Sequence, residues 1–558
     1  MSRSSVPELS LRERCEKRLN GLKANRQPYE ADWRDIASYA QPARSRWLNS
    51  DTNTNRRQAA KRRHDDYGIL AFRTTAAGMF SGLSSPSRPW FRLALHDDVL
   101  MDDQAAKEWL GEVERAMYSF LDSTNFYSAA KALYAELSLF GTAAMVITED
   151  DGPEVGAVFH DLTVGEYWIG LSKRRTPDTL YRRVPMSVSQ CVHDFGIDKV
   201  SDTVKQQYQD RQYEQTVNVF HAIEPNNEVD PKRLDHRGKA FRSIWWDEND
   251  SRKDHLLRES GFNEQPFIAP RWETVGWDSY GVSPGMHVLT SLRELQLQAK
   301  RKAEATDLHL YPEIVVDPKV KLRRTPKSVV SAASVDKDSV LVPYQVPYQS
   351  VQAIKEDIEQ VRRDIADGCY ANLFQAITQM EGGNYKNVLE ITRRYEEQMT
   401  QLGSVIDSVN GGLEIALDRV FAIMQRQGRF PEPPESLQGQ ELRMDFVSVL
   451  TQVQRTSTLA QIERTASFVG NLAALYPDAA DKLNIDEMID QYGEGAGSPA
   501  KMIRSTDDAN AIRQQRAQAA QAEKAAAMMP AVQQGADAAR LLSETDVGGT
   551  NLLDAMMP

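Results

Sequence analysis

The segment Gly281-Val-Ser-Pro-Gly285 comes closest to a catalytic motif in this 558-residue chain. It has the GxSxG spacing of the turn that presents a nucleophilic serine in many hydrolases. In those enzymes the backbone N–H of the residue after the serine helps to bind the oxyanion. Here that residue is Pro284, which has no N–H. The chemistry argues against a hydrolase and predicts that Ser283 is the N-cap of a helix whose first residue is Pro284.

Two glycine-rich segments could in principle bind phosphate. Residues 493–497 lack the GxGxxG spacing and a preceding strand, and Gly238-Lys239 lacks the upstream glycine of a P-loop. The nine histidines show no HExxH pair, and the carboxylates are scattered. The three cysteines are far apart and form no CxxC pair: Cys15, Cys191 and Cys369. We therefore expect reduced thiols, no cofactor, no metal and no enzymatic activity.

Composition limits the class of protein further. The length suggests roughly three to four domains, and 41% apolar residues are enough for sizeable cores. A net charge of −12 and a pI near 5.4 argue against a protein whose whole surface binds nucleic acid. No apolar run approaches the roughly 18 residues of a membrane span, and the first residues lack a signal core. We expect synthesis in a reducing cytoplasm and no membrane insertion.

Two helices joined by a short insert are the most strongly patterned part of the chain. The first is predicted over residues 283–310 and ends before Pro312. The second, over 351–377, has the 3,4 spacing of one apolar seam with charged flanks. The seam residues of the two helices are Leu292, Leu295, Ile354, Ile358, Val361 and Ile365. Since neither helix can bury its seam alone, each needs a partner helix.

The insert, residues 311–350, alternates β-branched runs with turn residues, which predicts a small α/β module. Within it, Lys319, Lys321 and Arg323 alternate with apolar residues, which would put three positive charges on one face of a strand. Two more basic residues, Arg324 and Lys327, follow. Two explanations stay open: a charged, solvated strand edge, or a docking face for an acidic partner.

The polar segment that follows the second helix predicts a flexible loop with Gly382-Gly383 at its tip. Its residues are Gln379, Met380, Glu381, Gly382, Gly383, Asn384, Tyr385 and Lys386. After it, a one-sided apolar stripe predicts a long helix over 388–427, which Gly411-Gly412 could bend.

The rest of the chain supports a mainly helical α+β fold. Residues 9–40 predict one or two helices, and 65–83 a helix rich in small residues that lets other backbones approach closely. Helices near 102–122 and 127–140 precede six β-prone segments between 143 and 271. The aromatics of this region favour core packing over a stacking platform for nucleic acid.

Four motifs in the same order resemble the portal, or head-to-tail connector, proteins of short-tailed double-stranded DNA bacteriophages. They are Trp33-x-x-Ile-Ala-x-Tyr-x-x-Pro42, Ser85-Pro-Ser-Arg-Pro-Trp-Phe91, Tyr280-Gly-Val-Ser-Pro284 and Arg429-Phe-Pro-Glu-Pro-Pro434. Each motif alone is weak, but four in order are fairly specific. The likeness covers roughly residues 10–505.

The resemblance implies a ring of twelve subunits around a DNA channel at one vertex of the capsid in the virion. Its domains would be the wing (1–282), stem helices (283–310 and 351–377), clip (311–350), channel loop (378–387), wing helix and connector (388–450), crown (451–505) and tail (506–558), whose Ala/Gln-rich sequence is a possible barrel helix. Genome packaging and ejection would proceed through the ring.

Implied partners are duplex DNA, the major capsid and scaffolding proteins, the terminase large subunit at the clip, and a tail adaptor protein. The resemblance also implies that the seams of the stem helices meet the adjacent stem helices of the ring. Heterologous contacts that close into a ring need no self-complementary patch. Two alternatives stay open: an elongated helical scaffold or tail component without a channel, and an enzyme whose site a single sequence does not reveal.

Overall fold

The structure is a computed structural model that describes residues 9–42, 63–95, 104–150, 156–230, 232–233, 235–312, 314–316, 340–341, 346–379, 385–434, 437, 442–447, 462–473, 476, 478, 482–495, 509–521, 540, 546–547 and 550–551. The chain divides into two compact units, Met1–Gln454 and Arg455–Pro558. The class is α+β, as the sequence predicts. The division into wing, stem, clip and crown stays a prediction.

The helices of the first unit are α1 (Leu11–Ala40), α2 (Tyr67–Leu83), α3 (Gln104–Ser123), α4 (Phe126–Phe140), α5 (Val188–Phe195), α6 (Asp202–Gln209), α7 (Pro284–His287), α8 (Leu289–Leu310), α9 (Tyr348–Gly368), α10 (Ala371–Gln379) and α11 (Tyr385–Arg426). In the second unit, residues 462–473 and 509–521 are helical, and α12 covers Ile485–Gly495.

The strands are β1 (Phe91–Leu95), β2 (Ala144–Glu149), β3 (Ala157–Leu162), β4 (Tyr167–Leu171), β5 (Pro177–Ser187), β6 (Thr216–Pro225), β7 (Phe241–Asp247), β8 (Arg258–Phe262), β9 (Phe267–Ile268), β10 (Val315–Val316), β11 (Val340–Leu341), β12 (Leu442–Phe446), β13 (Asp546–Val547) and β14 (Thr550–Asn551). Strands β4 to β8 form an antiparallel sheet in chain order. A second sheet has the order β3-β2-β9, and β1 pairs with β12.

One large core lies around the second half of α11. Leu402, Ile406, Val409 and Leu413 are buried there against α3, α4 and the β1–β12 pair. Trp90, just before β1, and Phe91, the first residue of β1, are 1% and 0% exposed. The two prolines of the segment, Pro86 and Pro89, are exposed, so the two aromatics alone enter the core. The aromatics of the five-stranded sheet, such as Tyr181 and Trp246, are buried as predicted.

Helix α2 packs closely because its small residues leave room for neighbours, as predicted. A Cβ built on Gly68 would lie 2.7 Å from Leu292 Cδ2 of α8. One built on Gly78 would collide with Phe374 of α10. The glycines thus set how closely α8 and α10 approach α2.

The predicted long helix is one uninterrupted element of 42 residues, roughly 63 Å at ~1.5 Å per residue. The Gly411-Gly412 pair does not interrupt it, and Gly412 lies against Pro270.

By contrast, the helix predicted over 351–377 is two helices. The chain breaks at Cys369-Tyr370, where Tyr370 has a left-handed φ of 61°. The Cys369 carbonyl accepts a hydrogen bond from Thr75 Oγ1 at 2.8 Å. A contact from α2, distant in sequence, thus stabilises the break.

The second unit is described in part. Its helix 462–473 and α12 are linked by the Tyr492 hydroxyl, which donates to Glu463 at 3.0 Å. Arg513, which is exposed on the helix 509–521, pairs with the partly buried Asp486. The described residues of that Ala/Gln-rich helix are nearly all exposed, in agreement with a segment that has little to bury alone.

Candidate channel and docking segments

Ser283 has a structural role that uses its hydroxyl fully. The side chain is buried and accepts a hydrogen bond from the backbone N–H of Met286 at 3.0 Å, while its Oγ donates to the Leu139 carbonyl at 2.7 Å. Pro284 is the first residue of α7. The predicted N-cap is confirmed. Because the Ser283 hydroxyl is buried and bonded to α4, it is not available as a nucleophile. The serine of the GxSxG spacing is therefore a helix cap.

Helices α8 and α9 pack against each other over the predicted seam. Of the six seam residues, Leu292, Leu295, Ile358, Val361 and Ile365 are buried, and Ile354 is partly buried. The same cluster contains Trp33 and Ile36 of α1 and Phe72 of α2. The seam is therefore closed within a single chain. Helices α1 and α2 complete the apolar layer. Contact between the stem helices of neighbouring subunits stays a prediction.

Asp65 forms hydrogen bonds with both α8 and α9. Gln296 of α8 accepts from the backbone N–H groups of His64 and Asp65 and donates to the Asp65 carbonyl at 2.9 Å. Arg362 of α9 donates to the Asp65 carboxylate at 2.7 Å. Burial alone would lower the pKa of Arg362, but the hydrogen bond and charge of Asp65 raise that pKa above its ordinary value. The hairpin is thus held by a charged contact beside its apolar seam.

The insert between α8 and α9 is described at its base. Val315–Val316 of β10 pairs antiparallel with Val340–Leu341 of β11. His309 Nδ1 lies 2.8 Å from the Val346 carbonyl, which links the end of α8 to the start of α9. The five basic residues of the predicted docking face, Lys319, Lys321, Arg323, Arg324 and Lys327, lie outside the described residues. Their role stays a prediction.

The predicted channel loop has narrower limits than the sequence suggested. Gln379 is the last residue of α10, and Tyr385 and Lys386 begin α11. The limits of 378 and 387 are therefore too wide, because helical backbone extends into the polar segment from both sides. Residues 380–384, which include Met380, Glu381, Gly382, Gly383 and Asn384, lie outside the described residues. Their contact with DNA stays a prediction.

A charged cluster that sequence reasoning missed fixes α11 to the smaller sheet. Arg419, with a side chain 2% exposed, pairs with Glu149 of β2 at 2.9 Å and also with Glu264. Arg426 pairs with the same two carboxylates. Burial would raise the pKa of Glu264, but hydrogen bonds and charge from Arg426 and Arg419 hold that pKa below its usual value. Only the i,i+7 spacing of the arginines could have hinted at the cluster.

A second unpredicted network lies inside the five-stranded sheet. Arg182, His221 and Trp245 are cross-strand neighbours on β5, β6 and β7. Arg182 Nε donates to His221 Nδ1 at 3.0 Å, so Nε2 carries the proton and donates to Ser243 Oγ at 2.9 Å. Burial, and then the charge of Arg182, hold the pKa of His221 well below its ordinary value. This neutral, enclosed histidine supports the sheet.

The described residues contain no cluster of three or more His, Cys, Asp or Glu side chains arranged to hold a metal ion. All three cysteines are buried free thiols, and burial raises the pKa of Cys369 to about 11. Among the helices of the described ranges, none has the length and apolarity to cross a membrane.

The fold is α+β and contains a 42-residue helix, α11, and the paired helices α8 and α9. A family model described as bacteriophage head to tail connecting protein matches residues 12–503. The chain belongs to this family. The prediction drawn from the four short motifs is thereby confirmed.

Two curated relatives match over nearly the whole chain. The portal protein of Salmonella phage epsilon15 is 36% identical over 98% of both chains. The probable portal protein of Bordetella phage BPP-1 is 34% identical, covering 95% of each. Among solved structures, the necks of empty and native GTA particles are each 12% identical, with a TM-score of 0.34, and cover 77% of this chain and 90% of theirs.

Proposed function

We propose that this chain is the subunit of a phage portal: a ring at one capsid vertex that joins head to tail. Duplex DNA is packaged and later ejected through its central channel. The observation that carries the proposal is the 36% identity to a portal protein over 98% of both chains. Because the identity extends over nearly the whole length, the match includes the α8–α9 hairpin and the long helix as well as the core.

The finer assignments follow from the family and are part of the proposal. Twelve copies form the ring, which is made in the host cytoplasm and becomes part of the virion. The insert between α8 and α9 meets the terminase large subunit during packaging and a tail adaptor afterwards. The wing meets the major capsid and scaffolding proteins. The residues between α10 and α11 face DNA in the channel. The chain acts structurally, with no catalysis of its own.

The outer surface of the α8–α9 hairpin is available for contact with a neighbouring subunit. The α8–α9 hairpin buries its seam internally and leaves its outer flanks exposed, including Leu297 and Leu308, which are 47% and 42% exposed. These two leucines could contact the surface of a neighbouring subunit. Ring closure by heterologous contacts supplies such a surface at every subunit.

Electron microscopy of the purified full-length chain tests the proposal directly. We expect rings with a central hole, and class averages that give the number of subunits. Rods or monomers at the same concentration would refute the portal assignment and favour a helical strut. Native mass spectrometry on the same sample measures the subunit count independently.

The acidic balance of the chain makes a second prediction about the assembled ring. Because many tight phosphate contacts would retard moving DNA, we expect the ring to bind duplex DNA weakly at physiological salt. Fluorescence anisotropy with a labelled duplex measures this. A tight complex that resists salt would contradict the expectation that the ring binds duplex DNA weakly.

A further inference from the structure

A basic and aromatic surface lies where two loops of the first unit meet. The turn between β4 and β5 presents Lys173, Arg174 and Arg175, all of which are exposed. The loop before α7 presents Val275 and Trp277, each 62% exposed. The Arg175 guanidinium lies over the Trp277 ring, 4.7 Å from the ring centroid, so the two loops are in contact. We call these five residues the basic–aromatic patch.

Hydrogen bonds hold the β4–β5 turn in a defined shape. Ser172 Oγ accepts from the backbone N–H of Arg174 at 3.1 Å and lies 2.8 Å from Thr176 Oγ1. The backbone N–H of Arg175 donates to the Ser172 carbonyl at 3.0 Å. Arg175 has a left-handed φ of 61°, which is uncommon for a residue with a side chain and costs free energy. The turn keeps this costly conformation at the position where the guanidinium covers one face of Trp277.

Arg271 fixes the two loops to each other. Its partly buried guanidinium donates to the Asp278 carbonyl at 3.0 Å and to the Arg175 carbonyl. Its backbone N–H donates to Ser408 Oγ of α11 at 3.2 Å. Within the second loop, the backbone N–H of Asp278 donates to the Val275 carbonyl at 3.0 Å. The patch is therefore preformed, and a partner would not have to order these loops on binding.

The positive charge of the patch is not neutralised within the described part of the chain. None of its three basic side chains has a carboxylate within 4 Å among the described residues. The nearby Asp278 carboxylate is engaged by Tyr29: burial, and then this hydrogen bond, raise the pKa of Tyr29 to about 12. Glu273 acts on Tyr370, because burial and then the Glu273 charge raise the pKa of that tyrosine. The patch thus combines uncompensated positive charge with exposed apolar surface.

The two parts of the patch together define the chemistry of a partner. Duplex DNA offers phosphates to the basic residues, but its bases stay stacked inside the helix, so Val275 and Trp277 would remain uncovered. A protein segment that carries carboxylates and a large apolar side chain covers both parts at once. Tryptophan and arginine are also the residues that most often dominate the free energy of protein–protein binding. The patch therefore favours an acidic polypeptide over duplex DNA.

We propose that the basic–aromatic patch is a docking site for an acidic segment of another protein. Carboxylates of that segment pair with Lys173 and Arg174. An apolar side chain packs against Val275 and the face of Trp277 that Arg175 leaves open. This contact adds a protein-binding site to the proposed portal function, and it is separate from the DNA channel and from ring closure.

A peptide of defined composition tests the site on the full-length chain. The probe is the fluorescein-labelled peptide EDLLEEDLLED. Two control peptides remove one property each: EDSSEEDSSED lacks the apolar side chains, and KRLLKKRLLKR has reversed charge. Fluorescence anisotropy at physiological salt measures binding. We expect the probe to bind about tenfold or more tightly than either control, because only the probe satisfies both parts of the patch.

Variants locate the binding on the patch. Both K173E/R174E and W277S should weaken probe binding by about tenfold or more. R175G removes the guanidinium from Trp277 and also relieves the left-handed backbone, because glycine adopts this conformation freely. It should therefore be at least as stable as the wild type in thermal unfolding and still bind the probe less well, which separates loss of binding from loss of folding. The control K199E/K232E makes the same charge change as K173E/R174E at exposed positions outside the patch and should bind as the wild type does.

Each contrary result overturns the docking site. No binding of the probe, equal binding of the three peptides, or unchanged probe affinity in the patch variants would each do so. Binding of a single-stranded oligonucleotide that depends on Trp277, without binding of the probe, would assign the patch to nucleic acid instead. Loss of rings in native mass spectrometry of W277S would show that another copy of the chain covers the patch. The portal assignment itself fails only if the wild-type chain forms no rings.

Discussion

Replacement of Glu264 by glutamine provides the sharpest test of how the long helix is held. The Arg419 side chain is 2% exposed and faces two carboxylates, Glu149 and Glu264. The change E264Q keeps the shape but leaves two arginines against one carboxylate. Removing one partner of a buried charge costs 3–5 kcal/mol in fully enclosed cases, so with Glu264 29% exposed we expect a loss of about 2–3 kcal/mol in the free energy of unfolding.

The double variant E264Q/R419M separates charge from packing. Methionine removes the buried cation and keeps apolar contact with Phe262, over whose ring the guanidinium of Arg419 lies at 5.3 Å. The uncompensated charge disappears, so we expect the double variant to be more stable than E264Q alone. The two changes should therefore be coupled rather than additive, as expected for residues in direct contact.

Urea titration monitored by tryptophan fluorescence measures these differences. The matched control is E304Q, because Glu304 pairs with Lys300 at 3.7 Å with both side chains more than half exposed. An exposed pair of this kind contributes about 0–1 kcal/mol. If E264Q were no less stable than E304Q, or if the double variant lost the sum of the single losses, the cluster would not hold α11 as described.

The same cluster makes a prediction about pH. The pKa of Glu264 is lower in the folded chain than its ordinary value of 4.5. Its ionised form therefore contributes stability that is fully present above pH 4.5 and is lost as the pH falls through the lower, folded-state pKa. The stability difference between wild type and E264Q should shrink below about pH 4.5. A difference that stays constant down to pH 3 would contradict this linkage.

Two further predictions follow from local geometry, and a third concerns the predicted channel loop. The change G78V should lower the free energy of unfolding by about 1–3 kcal/mol, because a side chain there collides with Phe374. The control G111A, whose new Cβ meets no neighbour within 4 Å, should be neutral or slightly stabilising. Thermal unfolding of both variants measures the difference. Burial lowers the pKa of His160 to about 4, so its contribution to stability is lost as the pH falls from about 6.5 toward 4, and H160Q should flatten this part of the pH–stability curve. Deletion of residues 381–384 should leave ring formation intact but reduce the DNA retained per particle; loss of rings instead would make this segment structural.

Much of the local structure follows from the sequence. The Ser283-Pro284 pair dictates a helix start because one residue supplies a side-chain cap and the other needs no hydrogen-bond donor. The 3,4 pattern predicts the buried seam of α8 and α9, and the small residues of α2 predict close packing. These are local or periodic signals, so they can be recognised in the sequence without knowing which residues pack against them.

Other features depend on residues far apart in the chain. Strand β1 gains its pairing from β12, and the break before α10 is stabilised by Thr75 of α2. The arginines of α11 find their carboxylates on β2 and before β9. No pattern around any of these residues reveals its partner, because side-chain pairing across elements is set by the packed arrangement.

The sequence by itself determined the family, the α+β class and the apolar faces, since periodicity and short motifs are properties of the chain alone. The tertiary structure decided what covers those faces. It showed that α1 and α2 complete the seam that periodicity alone could not assign. An apolar stripe specifies that a helix needs burial, but only the packing of the whole chain specifies which surface provides it.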